Sequence, residues 1–130
     1  MSETHSSSAP HFVERLVAGT TVVELRGEID LVTAPQLSAR LDVLTAGPGP
    51  DLVLDLRAVS FIDCTGLGVL CRARNRARTH LGRLRLVSQS AHLERLLRAT
   101  RLADVFETHT RLADALGPGP GTGAVSAVTG

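Results

Sequence analysis

A chain of 130 residues with 43% hydrophobic content is sized for one domain around one modest core. Its three Phe, with no Tyr or Trp, exclude aromatic platforms for bases or sugars, and the absence of Lys excludes a Gly-Lys-Ser/Thr phosphate loop. The net charge of +1 hides an asymmetry: residues 1–56 carry three Arg against eight acids, residues 57–101 carry ten Arg against Asp63 and Glu94, and the remainder carries one Arg against three acids.

In chain order, residues 1–10 are Ser-rich and polar, and are expected to be disordered. Phe12 to Val17 is a weak strand, and Thr21 to Gly27 alternates Val23 and Leu25 with Glu24 and Arg26. The two are expected to pair across Ala18-Gly19-Thr20 as a hairpin. A first helix comes next, with Thr33 as its expected N-cap, Pro35 in the first turn and Leu37, Leu41 and Leu44 at helical spacing until Gly47-Pro48-Gly49-Pro50 stops it. Asp51 to Arg57 is almost continuously apolar, as a strand covered on both faces is. A second helix starts after Cys64, with Gly66, Leu70, Ala73 and Ala77 on one stripe. A strand is expected over Arg83 to Ser88, then a third helix packed through Leu93, Leu96 and Leu97. A short strand near Val105-Phe106 and a last helix from Leu112 to Leu116 complete the alternation.

This pattern predicts an α/β fold: a single domain over residues 11–116 with a mostly parallel sheet of four to five strands, an N-terminal hairpin and about four helices. Residues 117–130 are Gly/Pro-rich and expected to be disordered. Cys64 and Cys71 are seven residues apart, with no His or Cys at zinc-site spacing, so reduced thiols and no metal or cofactor are expected. No stretch reaches the roughly 20 apolar residues of a membrane span, and the chain start is not a signal sequence, so a cytoplasmic protein without a membrane partner is expected. The Arg-rich middle invites a nucleic-acid reading. No nucleic-acid motif accompanies it, and an all-Arg bias with no Lys is open to codon composition as part of its cause, so no nucleic-acid partner is expected.

The segment Phe61-Ile-Asp-Cys-Thr-Gly-Leu-Gly places polar groups between the central strand and the second helix, at the carboxyl edge where open α/β sheets gather their functional groups. Asp63 is expected to cap that helix. Thr65 falls in its first turn with the hydroxyl outside the core, and Gly66 allows a tight turn or a close backbone approach. No Gly-x-Ser-x-Gly elbow surrounds Thr65 and no His is placed to activate it, so the chain is not expected to be an enzyme. Asp30 is either a turn acceptor or part of a docking surface, and Glu28 is expected to be structural or solvated. Asp55 is expected to be a buried acceptor bonded to nearby backbone rather than a metal ligand, and Cys64 a small side chain packed under the helix rather than a redox group; Arg72, Arg74, Arg76 and Arg78 are expected on both flanks of the helix as solvated groups, with contact of some of them to an acidic partner as the alternative.

Three blocks in order, Val22-Val-Glu-Leu-Arg-Gly-Glu-Ile-Asp through Leu37, Leu52 through Leu70, and Gly82 through His109, closely resemble the anti-sigma factor antagonists, small bacterial STAS-domain proteins. The resemblance spans residues 12–116. In that family the segment matching Asp63 to Gly68 is commonly Asp-Ser-Ser-Gly-Leu-Gly, and the second hydroxyl residue, Thr65 here, is the phosphoacceptor. The resemblance implies a partner-switching regulator. It would bind an anti-sigma factor that is also a serine/threonine kinase of the histidine-kinase-like ATPase type, free a sigma factor, and be turned off by phosphorylation and restored by a phosphatase. Asp30, Asp63, Cys64, Gly66 and Leu67 would surround Thr65 as the partner-binding residues. Two departures stand out: Thr replaces Ser at the acceptor, adding a β-methyl that restricts χ1, and Cys64 replaces the first serine. Threonine acceptors also mark related stress-signalling STAS scaffolds, which stay open as an alternative.

Overall fold

The computed structural model describes residues 12–118; the Ser-rich start and the tail beyond Pro118 lie outside the described residues. β1 (Phe12–Val17) and β2 (Thr20–Ile29) form the expected antiparallel hairpin. Its two-residue turn holds both Ala18 (φ 51°) and Gly19 (φ 86°) in the left-handed region, which matches the twist of the flanking strands. Then come α1 (Ala34–Leu44), β3 (Asp51–Ile62), α2 (Cys64–Thr79), β4 (Arg83–Val87), α3 (Ala91–Ala99), β5 (Glu107–His109) and α4 (Leu112–Ala115). The sheet order is β1-β2-β3-β4-β5, with β1 antiparallel and the other neighbours parallel.

Strand alternation divides the side chains between two faces. Val23, Leu25, Leu52, Leu54, Leu84 and Leu86 pack under α1, α2 and α3, which contribute Leu37, Leu41, Leu70, Ala73, Ala77, Leu93 and Leu97 to one core. Val22, Val53 and Val87 point the other way and meet Leu112, Ala115 and Leu116 around α4. β3 is therefore apolar on both sides from Leu52 to Leu54, as its continuous pattern predicts.

Polar residues complete the second face. Asp55, 2% exposed, accepts from the Arg57 backbone N–H (3.1 Å) and from Arg57 Nε and Nη2 (2.9 and 2.8 Å), so the expected backbone acceptor also anchors a guanidinium. Burial pushes its pKa up, but the Arg57 hydrogen bonds outweigh this and hold the carboxyl below its usual value. Arg85, 1% exposed, donates from Nη1 to the Ala115 carbonyl (2.7 Å) and pairs with Asp51, which fastens α4 to the sheet.

Three expectations change. The fifth strand is Glu107–His109 rather than Val105-Phe106, and Phe106 is instead a core residue of the loop before it. Thr33 makes no side-chain cap bond to α1, because its hydroxyl donates to the Glu28 carbonyl (2.8 Å) and accepts from the Asp30 N–H (3.0 Å). Arg72 and Arg76 are not merely solvated: both pair with Asp42 of α1.

Candidate functional site

The carboxyl ends of β2 and β3 lie side by side, with Ile29 opposite Ile62, so the two Ile-Asp pairs leave the sheet together. β2 arrives there bent: its register shifts beside Gly27, which takes a positive φ of 69° that a side chain would resist. The Asp63 N–H donates to the Ile29 carbonyl (3.3 Å), tying the start of α2 to the end of β2. Gly66 makes this approach possible, since a Cβ there would sit 2.3 Å from the Ile29 carbonyl oxygen and 2.8 Å from Ile62.

Each aspartate organises its own turn. Asp63 caps α2 as expected, its Oδ1 accepting from the Gly66 N–H (2.9 Å), while its carbonyl accepts the first helical bond from Leu67 (2.9 Å). Asp30 Oδ1 accepts from the N–H groups of Val32 (3.0 Å) and Thr33 (3.2 Å), and the Asp30 carbonyl accepts from Ala34 (2.8 Å). Asp30 is thus a turn acceptor and also a half-exposed carboxylate next to the α2 N-terminus.

Thr65 is exposed in the first turn of α2, and its hydroxyl has no hydrogen-bond partner among the described residues. Cys64 beside it is exposed, which corrects the reading of a small side chain packed under the helix. Gly66 and Leu67 are buried, so they hold the turn from within, and the surface belongs to Asp30, Asp63, Cys64 and Thr65. Glu28 is exposed, in keeping with a solvated role. Cys71 sits deeper in α2, where burial pushes its thiol pKa up against a smaller pull from Arg74.

The sequence patterns missed an apolar rim around these groups. Leu31 (73% exposed) and Val32 (83%) project from the β2–α1 turn, and Phe61 (44%) projects from β3. Phe61 stacks on His92 of α3, with ring centroids 6.1 Å apart and planes 20° from parallel. A run of two consecutive large apolar residues in an otherwise polar turn was the available signal. No basic side chain hydrogen-bonds to the threonine hydroxyl among the described residues. The arrangement presents a neutral hydroxyl at a helix N-terminus, with two carboxylates and exposed hydrocarbon on the neighbouring turns. Among the described residues no group of three or more His, Cys, Asp or Glu could hold a metal ion, and no helix is long and apolar enough to cross a membrane.

Such a fold defines a single-domain α/β protein with two polar turns at the carboxyl edge of its parallel strands. Residues 12–115 match the STAS domain, and the chain belongs to the STAS domain family. It is 41% identical over 81 residues to an anti-sigma-B factor antagonist of Listeria monocytogenes, covering 62% of this chain and 71% of that protein. It is 30% identical over 112 residues to the anti-sigma-F factor antagonist RsfB of Mycobacterium tuberculosis, covering 84% and 91%. The solved structure of an anti-sigma factor antagonist from Mycobacterium paratuberculosis superposes with a TM-score of 0.73 at 32% identity, covering 81% of this chain and 89% of that one.

Proposed function

We propose that this chain is a cytoplasmic anti-sigma factor antagonist. In its unmodified form it binds a cognate anti-sigma factor that is also a serine/threonine kinase of the histidine-kinase-like ATPase type, and so frees a sigma factor. Phosphorylation of Thr65 ends that binding, and a phosphatase restores it. The observation that carries this reading is the exposed, unpartnered Thr65 hydroxyl in the first turn of α2, between the two aspartate turns. The names of the relatives support it.

The chemistry fits substrate and ligand rather than catalyst. The kinase supplies ATP, Mg²⁺ and the base, while this chain supplies a hydroxyl whose backbone position is held by the Asp63 cap. A phosphate adds about −1.5 to −2 charges beside Asp63 and Asp30. The free N–H groups of α2 stabilise it within the folded domain. A partner surface fitted to a neutral hydroxyl then loses affinity, and about 2.7 kcal/mol suffices for a hundredfold change.

Calorimetric titration of the cognate anti-sigma kinase with the wild type, Thr65→Ala and Thr65→Glu tests this. Wild type and Thr65→Ala bind alike. Thr65→Glu, with one carboxylate in place of a dianionic phosphate, binds about tenfold more weakly, a loss of roughly 1.4 kcal/mol. Equal binding of Thr65→Ala and Thr65→Glu would remove the switch from this turn.

A further inference from the structure

The two flanks of α2 differ in charge. On the flank that meets α1, Arg72 Nε and Nη2 donate to the Asp42 carboxylate (2.9 and 3.0 Å), and Arg76 donates to the Thr45 hydroxyl and the Asp42 carbonyl (2.9 Å each). These two arginines are engaged in holding helix to helix, and the hydrogen bond from Arg72 lowers the Asp42 pKa. Arg74 and Arg78 each stand two residues further on, which turns them about 200° around the helix. Half-buried Arg74 reaches only the side chain of its neighbour Asn75 (3.3 Å), and the guanidinium of exposed Arg78 has no hydrogen-bond or ion-pair partner among the described residues. Because the strands lie in the sheet in sequence order and α1, α2 and α3 cover the same face, this second flank is turned towards α3.

We propose that Arg74 and Arg78 form a basic docking strip that receives an acidic surface of the anti-sigma kinase while Thr65 enters the kinase's catalytic cleft. This rests on the function proposed above and adds the chemistry of the partner. The strip and the acceptor share one helix: Arg74 and Arg78 lie about 14 and 20 Å along the axis from Thr65, within one interface of standard size. The pole around Thr65 is itself acidic, with Asp30 and Asp63, so attraction for an acidic partner has to come from another part of the surface. The same carboxylates disfavour a phosphate backbone and favour a protein.

The test compares two charge reversals of equal size by surface plasmon resonance against the cognate anti-sigma kinase. One is R74E/R78E; the control is R15E/R26E, exposed on β1 and β2. At 0.1 M salt R74E/R78E weakens binding about tenfold or more, chiefly in the association rate, and the gap closes to about threefold or less at 0.5 M. R15E/R26E stays within about threefold, and R74K/R78K retains wild-type affinity. Thermal melts identify any misfolded variant, and R74Q/R78Q, which removes charge without reversing it, then gives an intermediate loss. If the wild type binds and R74E/R78E binds equally well, or both reversals lose equally, the strip falls while the proposed function stands. If the wild type binds no such kinase, both fall. Duplex DNA binding by the wild type that R74E/R78E abolishes would assign the strip to nucleic acid instead.

Discussion

The same dipeptide, Ile-Asp, ends two neighbouring strands, and the chain puts it to two different uses. After β2, Asp30 spends one oxygen on the N–H groups of Val32 and Thr33, and α1 begins only after that turn, at Ala34. After β3, Asp63 caps α2 directly, and Thr65 emerges in its first turn with no hydrogen-bond partner for its hydroxyl among the described residues. The residues C-terminal to each aspartate make the difference. Leu31-Val32-Thr33 forms a projecting loop, whereas Gly66 lets the first turn of α2 settle against the Ile29 carbonyl. One turn therefore exposes hydrocarbon and the other a hydroxyl, and each carries a carboxylate.

Breaking the packing of the second turn has the largest effect. Gly66→Ala gains helix propensity of about 1 kcal/mol, but its Cβ meets the Ile29 carbonyl oxygen and Ile62, so the net change is a destabilisation of roughly 2 kcal/mol. Gly68→Ala is the matched control. A Cβ at Gly68 meets nothing within 4 Å, and this exposed helical position should gain about 0.5–1 kcal/mol. Urea denaturation measures both, and equal signs would show that the contact between the turns is not rigid.

The two carboxylates separate next. Asp63→Ala removes a helix cap and costs about 1 kcal/mol, since the Gly66 N–H loses its acceptor. Asp30→Ala frees N–H groups that water can reach, and costs about 0.5 kcal/mol. Denaturation midpoints for the pair would sharpen the contrast, and a larger loss at Asp30 would reverse the roles assigned to the two turns.

How much of this is readable in the sequence depends on the distance over which each interaction acts. The Asp63 cap is local, and the buried stripe of Gly66, Leu70, Ala73 and Ala77 repeats with the helical period, so both are legible. Thr33 has the residue type of a cap but does not act as one, because Asp30 just before it already engages the same backbone and hydroxyl. Phe106 resembles a strand residue because an isolated apolar pair carries no period, and its burial comes from the core it reaches. Contacts between residues far apart in the chain have no local signature: Gly66 against Ile29, Arg72 with Asp42, and Arg85 with the Ala115 carbonyl. Residue type alone sends Cys64 to the interior, whereas its place at the mouth of the α2 N-terminus turns it outward.

The most direct test of the Thr65 switch is intact-mass analysis after incubating the wild type and Thr65→Ala with the cognate anti-sigma kinase, ATP and Mg²⁺. Thr65 is exposed, so the substitution keeps stability within about 0.5 kcal/mol and leaves the fold available to the kinase. A single added phosphate is expected on the wild type and none on Thr65→Ala. A phosphate retained on Thr65→Ala, for example at Ser60 or Thr79, would contradict the assignment of the switch to this turn.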